Sequence, residues 1–319
     1  MSRSKKLTMP NKVKSFFHLL RVRQYYKNVL IFIGIFFSQR LFEINLYFNL
    51  IIGFIILCFV SSINYIVNDI RDIKKDRLHP EKIRKKPLAS GDIPIFAAVI
   101  LLIALGGIVV LLLFLFLIGK LGFILTIIFI FITGQLYNHL LKKYAFIDII
   151  ILSTGYLWRA LAGCAIIEEF VSAWLFLAIF EVALFLSIAK RRGDLMILGK
   201  DKAIEHKKVY DQYSLTILTN FHMIIAGTLF ITYSLYLIQK FNLDLPGSAI
   251  LSGYLAILTI PISLYIIMRY MYLTSSKPEI ARSTEKAFLD KGIIISGFIL
   301  LIIIFCAFYF EEILMLLGF

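Results

Sequence analysis

The stretch NDIRDIKKDRLHPEKIRKKPLASG, residues 68–91, decides how this chain is read. It follows an apolar run long enough to cross a bilayer. At the end of that run it sets three aspartates, one histidine and eight basic residues. Basic residues at a membrane boundary have an ordinary explanation in topology. Acids set among them do not, and the rest of the sequence is read outward from that mismatch.

Of the 319 residues, 60 % are hydrophobic and only 17 % charged, which excludes an ordinary soluble domain. Apolar windows near the roughly 20 residues needed to cross hydrocarbon predict an all-α polytopic membrane protein. Nine spans are expected, at about 28–42, 46–68, 93–118, 121–139, 146–166, 171–189, 214–239, 248–270 and 292–312. Gln39, Arg40 and Glu43 crowd the far end of the first.

Residues 1–27 form a basic arm with no signal-peptide apolar core or small-residue cleavage site, and are expected to stay cytoplasmic. Residues 28–319 are expected to form a single nine-helix transmembrane domain with cytoplasmic loops at 69–92 and 190–213. With that orientation, one side of the membrane receives eight Lys and Arg in 1–27, eight in 71–86 and two at 142–143. It also receives seven in 190–208 and five in 269–291, which makes 30 of 34. The bias predicts the N-terminus inside and the C-terminus outside. Topology and attraction to anionic headgroups account for the +14 formal charge, so no nucleic-acid partner is expected. Cys58, Cys164 and Cys306 fall in apolar runs without metal-like spacing.

Asp69, Asp72 and Asp76 are spaced i, i+3, i+7, which aligns carboxylates along one helix face. Grouped carboxylates repel one another unless a cation lies among them. An open aspartate face with Asn68 beside it suits Mg²⁺ carrying a diphosphate. The plainer alternative is a solvated helix end paired with Arg71, Lys74, Lys75 and Arg77. Asn64 continues the polar face into the span, where polar groups are costly and usually functional, and this favours the metal site. Downstream, His79, Lys82, Arg84, Lys85 and Lys86 supply cations for phosphate groups or anchor the loop to headgroups.

A fainter echo, KRRGDL at 190–195, follows the sixth span. Lys190, Arg191 and Asp194 there suggest two four-helix halves, each giving one polar mouth to a shared cavity. Arg159 lies about three turns beyond Asp148 in the fifth span. It either pairs with a neighbouring helix, for example at Glu181, or binds a lipid phosphate.

With these motifs in place, the chain resembles the UbiA prenyltransferase superfamily over nearly its whole length, and most finely its decaprenyl-phosphate phosphoribosyltransferase branch. LLRVRQYYKNVLIF (19–32) looks like that branch's LRPxQWxKNxxxF, and residues 68–91 look like its NDxxDxxxDxxHPxKxxRPxAxG. YNHLLKKYAFIDIIILSTGYLWRALAG (137–163), AKRRGDL (189–195) and KPEIARSTEKAFLDK (277–291) resemble three further segments. Lys86 stands where the branch has Arg, Asp194 where it has Glu, Tyr25 where it has Trp and Val22 where it has Pro.

The resemblance implies a UbiA-like fold, homo-oligomerisation and a Mg²⁺-dependent reaction at the cell membrane. In that reaction a 5-phosphoribosyl group passes from 5-phosphoribosyl-1-diphosphate to a polyprenyl phosphate, releasing pyrophosphate. Asp69, Asp72 and Asp76, helped by Asn68, would hold the metal. Lys27, Asn28, Asn64, His79, Lys82, Arg84, Lys142, Arg159, Lys190, Arg191 and Asp194 would bind substrate. Two rivals use the same features. One is a prenyltransferase moving an isoprenoid from its own diphosphate to a small acceptor, and the other is a membrane carrier.

Overall fold

The computed structural model describes residues 9–77, 83, 86–170, 172–243, 251–282 and 284–318, and everything below concerns those residues. The described chain is helical, with no strand among these residues. Helix α1 spans Met9–Leu20, a 3-10 segment Val22–Phe32, α2 Ile33–Phe37 and α3 Ile44–Asp76. They are followed by α4 (Pro87–Ser90), α5 (Ile95–Phe116), α6 (Leu121–His139), α7 (Ile147–Ile167) and α8 (Ala173–His206). The last are α9 (Leu215–Lys240), α10 (Leu251–Ser276), α11 (Pro278–Arg282), α12 (Lys291–Phe308) and α13 (Phe310–Leu317).

Eight of these, α3, α5 to α10 and α12, are long and apolar enough to cross a membrane, and they fall on the predicted spans two to nine. The expected span at 28–42 takes another form. It is a 3-10 run passing into the five-residue α2, and Gln39 closes it with a left-handed φ of 62°. Hydropathy alone could not separate that from a long α-helix. Two expected loops also differ, because α3 continues through Asp76 and α8 through His206, with one non-helical residue, Gly199. Asp69–Asp76 and Lys190–Asp194 therefore stand on rigid helical extensions.

The chain divides into two compact units. The first holds residues 1–139 and 158–170, the second 140–157 and 171–319, so α7 gives its two ends to different units. In the first unit α3 packs against α5, α6 and the 3-10 segment around Ile31, Leu50, Ile56, Leu57, Phe123 and Ile166. Helix α5 is apolar all round yet leaves Phe96, Ile103 and Val110 exposed, as a helix covered by lipid would. In the second unit α8 packs on α9 and α11, and α10 packs on α12. Ser172, Ser214 and Asp290 cap α8, α9 and α12 by accepting a backbone N–H.

Arg40 fastens the far end of the first unit. It forks onto Glu43 at 2.6 and 2.7 Å and donates to Ile167 O at 3.1 Å, capping the last turn of α7. The same helix lets the 3-10 segment approach closely only because residue 163 is glycine. A Cβ there would overlap the Ile31 carbonyl. Gly163→Ala is expected to cost about 1–3 kcal/mol, read as a lower unfolding midpoint in detergent. Gly106→Ala on α5, where a Cβ meets nothing within 4 Å, should leave the midpoint unchanged or raise it slightly.

Candidate active site

Seven residues of α-helix carry Asp76 about 10.5 Å along α3 from Asp69 but only about 20° round its axis. Asp72 lies about 60° away from Asp69 on the same helix. The structure follows that geometry. Asp69 and Asp76 are buried, at 3 % and 2 % exposure, while Asp72 is half-buried. The two buried carboxylates converge on one cation, Lys86, whose Nζ donates to Asp69 Oδ1 at 2.8 Å and Asp76 Oδ2 at 2.6 Å. Burial alone would lower the Lys86 pKa, but the charge of Asp69 and the hydrogen bonds to both carboxylates outweigh it and raise it above the ordinary lysine value.

Lys86 reaches this point because its backbone is extended, as Pro87 demands of its neighbour, and because its carbonyl starts α4 by accepting from Ala89 and Ser90. Gly91 ends that short helix at a φ of 83°. Arg21 is the second cation on Asp69. It takes a left-handed φ of 53° between α1 and the 3-10 segment, lays its guanidinium 4.5 Å from the Tyr65 ring centre, and donates to Asp69 Oδ1 at 2.9 Å. Next to Asp69 in sequence, the buried Oδ1 of Asn68 accepts no hydrogen bond from the described residues.

Deeper in the first unit the predicted amides are tied into polar contacts. Asn28 is 1 % exposed. It donates to Cys58 Sγ at 3.2 Å and accepts from Arg159 Nε at 2.7 Å. Arg159, expected to reach a neighbouring helix or a lipid phosphate, thus holds Asn28. Asn64 accepts from Gln135 at 2.6 Å and lies against Gly134, where a Cβ would meet its amide at 2.8 Å. Lys27 is half-buried, with its ammonium 5.9 Å from the Tyr26 ring centre.

The second unit carries its own polar cluster. Asp148, with no exposed surface, accepts two hydrogen bonds from Arg191 at 3.0 and 2.7 Å and one from Tyr213 at 2.6 Å. Asp194 accepts from Tyr210 at 2.5 Å and pairs with Arg282 of α11 at 3.1 Å. Burial, and then the facing carboxylates, push both tyrosine hydroxyls above the usual phenol range, so they stay protonated as donors. Arg191 and Asp194 are therefore engaged inside the protein, whereas Lys190 is exposed and Lys142 half-buried. His79, Lys82 and Arg84 lie outside the described residues. Among the described residues no three His, Cys, Asp or Glu side chains gather tightly enough to hold a metal by themselves.

Sequence reasoning did not single out Arg21, Tyr210, Tyr213 or Arg282. Their signal was weak, since basic residues and tyrosines are common at membrane boundaries, and only the fold selects these four. Residues 29–291 match the UbiA prenyltransferase family. The chain belongs to that family.

Among UbiA-family relatives, the decaprenyl-phosphate phosphoribosyltransferase of Corynebacterium glutamicum is 30 % identical over 219 residues, covering 68 % of this chain and 65 % of that protein. Its counterpart in Mycolicibacterium smegmatis is 27 % identical over 190 residues, covering 59 % and 58 %. The matched stretches thus span less than two thirds of those relatives' lengths. A UbiA homolog from Archaeoglobus fulgidus, bound to DMAPP and Mg²⁺, superposes with a TM-score of 0.63 at 17 % identity, covering 92 % of this chain and 98 % of that one. A digeranylgeranylglyceryl phosphate synthase gives 0.58 at 21 % identity, covering 93 % and 97 %. At such identities the likeness establishes the UbiA-like fold.

A divalent ion suits the donors that α3 presents. Two carboxylate oxygens already meet at one cation, and the buried Oδ1 of Asn68, next to Asp69 in sequence, has no hydrogen-bond donor among the described residues. Hard oxygen ligands of this kind, few in number, match Mg²⁺ that keeps waters and substrate oxygens in its remaining positions.

Proposed function

We infer that this UbiA-family protein transfers a 5-phosphoribosyl group from 5-phosphoribosyl-1-diphosphate to a polyprenyl phosphate, with its site on the cytoplasmic face of the cell membrane. The observation that carries the reading is the convergence of Asp69 and Asp76 on one cation at the end of a membrane-length helix. The relatives named as decaprenyl-phosphate phosphoribosyltransferases support the choice of donor and lipid.

In this reading Asp69 and Asp76, with Asn68 and the half-buried Asp72 beside them, hold Mg²⁺. When bound, the ion neutralises charge on the departing diphosphate. The bond from C1 of the ribose to the diphosphate oxygen breaks, and C1 bonds to an oxygen of the lipid phosphate, with inversion. That phosphate is ionised at neutral pH, so no strong general base is required. Arg21 holds Asp69 in its rotamer, and Arg159 holds Asn28 in its own. Lys27, Lys142 and Lys190, together with His79, Lys82 and Arg84 of the adjoining segment, are the groups proposed to bind phosphates. Within the second unit, Arg191 braces the start of α7 against α8, and Asp194 braces α8 against α11.

Membranes carrying the protein should transfer label from radiolabelled 5-phosphoribosyl-1-diphosphate into the lipid extract when a polyprenyl phosphate and Mg²⁺ are supplied. Absence of label across several chain lengths, with label instead passing from a prenyl diphosphate to a small acceptor, would replace this reading with the prenyltransferase one.

A further inference from the structure

The amine of Lys86 stands where two buried carboxylates meet. Its Nζ lies 2.8 Å from Asp69 and 2.6 Å from Asp76, and those side chains keep only 4 % and 3 % of their surface. Two buried carboxylates turned to one point repel each other, and the ammonium between them offsets that repulsion. The lysine comes from a different segment of chain, the turn before α4, and its own side chain is 20 % exposed. An ammonium is a compact point charge on a flexible stem, able to bridge two oxygens and to swing away intact.

We propose that Lys86 is a resident counter-ion of the Asp69–Asp76 pair that a divalent cation must displace. The inference rests on the reading of these aspartates as metal ligands and goes beyond it. A metal held by these two carboxylates would take the oxygens that the ammonium now meets, so the two would exclude one another. Lys86 holds the two carboxylates turned toward one point. When a divalent ion takes the two oxygens, the amine is released beside it, still tethered through Pro87. There it becomes a free donor to any oxyanion that the metal carries. Arg21 pairs with Asp69 but not with Asp76, so it does not fill the point where the two acids meet, and it holds the Asp69 carboxylate in place during the exchange. Lys86 is thus a positioning residue that makes bare metal binding weaker than the aspartates alone would allow.

The test uses the purified full-length protein in detergent, with Mn²⁺ as the probe and its free-ion electron paramagnetic resonance signal as the readout. Lys86→Met should bind Mn²⁺ about tenfold more tightly than the unaltered protein, because a like charge has left the site. Lys86→Gln, which keeps a donor but no charge, should do the same, and Lys86→Arg should bind close to the unaltered protein. Without metal, the unfolding midpoint of Lys86→Met should fall, and Mn²⁺ should restore it more than it raises that of the unaltered protein. A residue that merely supported the fold would weaken metal binding when lost.

If Asp76→Asn abolishes Mn²⁺ binding while neither uncharged Lys86 variant binds more tightly, the exchange is wrong and the metal assignment survives. If Asp76→Asn leaves Mn²⁺ binding unchanged, or no variant binds Mn²⁺ at all, both fall.

Discussion

Asp76→Asn is expected to lower Mg²⁺-dependent pyrophosphate release on the order of 10³-fold while the protein stays folded. The substitution preserves shape and removes one of two anionic oxygens that meet at a single point. It also leaves Lys86 with Asp69 as its charged partner at that point, so the pair no longer needs a second positive charge and affinity for a divalent ion falls. Asp69→Asn should behave alike, with an added effect through Arg21, which would lose its carboxylate. Asp72→Asn should be milder in this series, since its side chain is about 60° round the helix and half-buried. Rates are to be compared across a Mg²⁺ titration. A loss that excess Mg²⁺ partly recovers marks weakened metal binding. A rate for Asp76→Asn within tenfold of the unaltered protein at every concentration would remove these aspartates from the chemistry.

Asp148→Ala should give the largest loss of stability, about 3–5 kcal/mol, because it strands Arg191 in the interior without its counter-charge. Arg191 is 3 % exposed and sends two hydrogen bonds to one Asp148 oxygen, while Tyr213 sends a third to the other. Thermal unfolding of the second unit in detergent should show a much lower midpoint. Replacing both charges with apolar side chains of similar volume, as in Asp148→Leu with Arg191→Met, should recover most of the loss, because no buried charge is then left unpaired. If the double variant is as unstable as Asp148→Ala, the cluster matters through the tyrosine hydrogen bonds more than through its charges. The comparison also separates bracing from catalysis, since a stable double variant that still turns over would place Arg191 outside substrate binding.

How far the site could be read in advance depended on what fixes each contact. Asp69 and Asp76 are seven positions apart on one helix, so the helical period brings them near the same face wherever that helix sits. The same period already distinguishes Asp72, although i, i+3, i+7 spacing was read as one aligned set. Lys86 belonged to a run of three basic residues, Arg84 to Lys86, among which charge counting cannot choose. Its selection comes from the Pro87 turn, which points that one side chain back at α3. Arg159 illustrates the opposite limit. Its place in a span was plain, but its partner, Asn28, lies 131 positions away. The form of the first expected span was set by packing for a related reason. Residues 28–42 are apolar enough to be counted, yet the close approach of Ile31 to Gly163 and the left-handed turn at Gln39 hold them in short, tight pieces.

Taken alone, the order of residues determined that this is a helical, membrane-spanning UbiA-family chain, where eight of its long helices begin, and that acids end one of them. The helices follow from hydropathy and helical period and the family from its motifs, all of which are local in sequence. Which cation neutralises which acid was decided only when the chain folded, with Lys86 and Arg21 on Asp69, and Arg191 on Asp148. Buried charges must find a partner within hydrogen-bonding reach, and which partner is within reach is a property of packing that no neighbouring residue in sequence records.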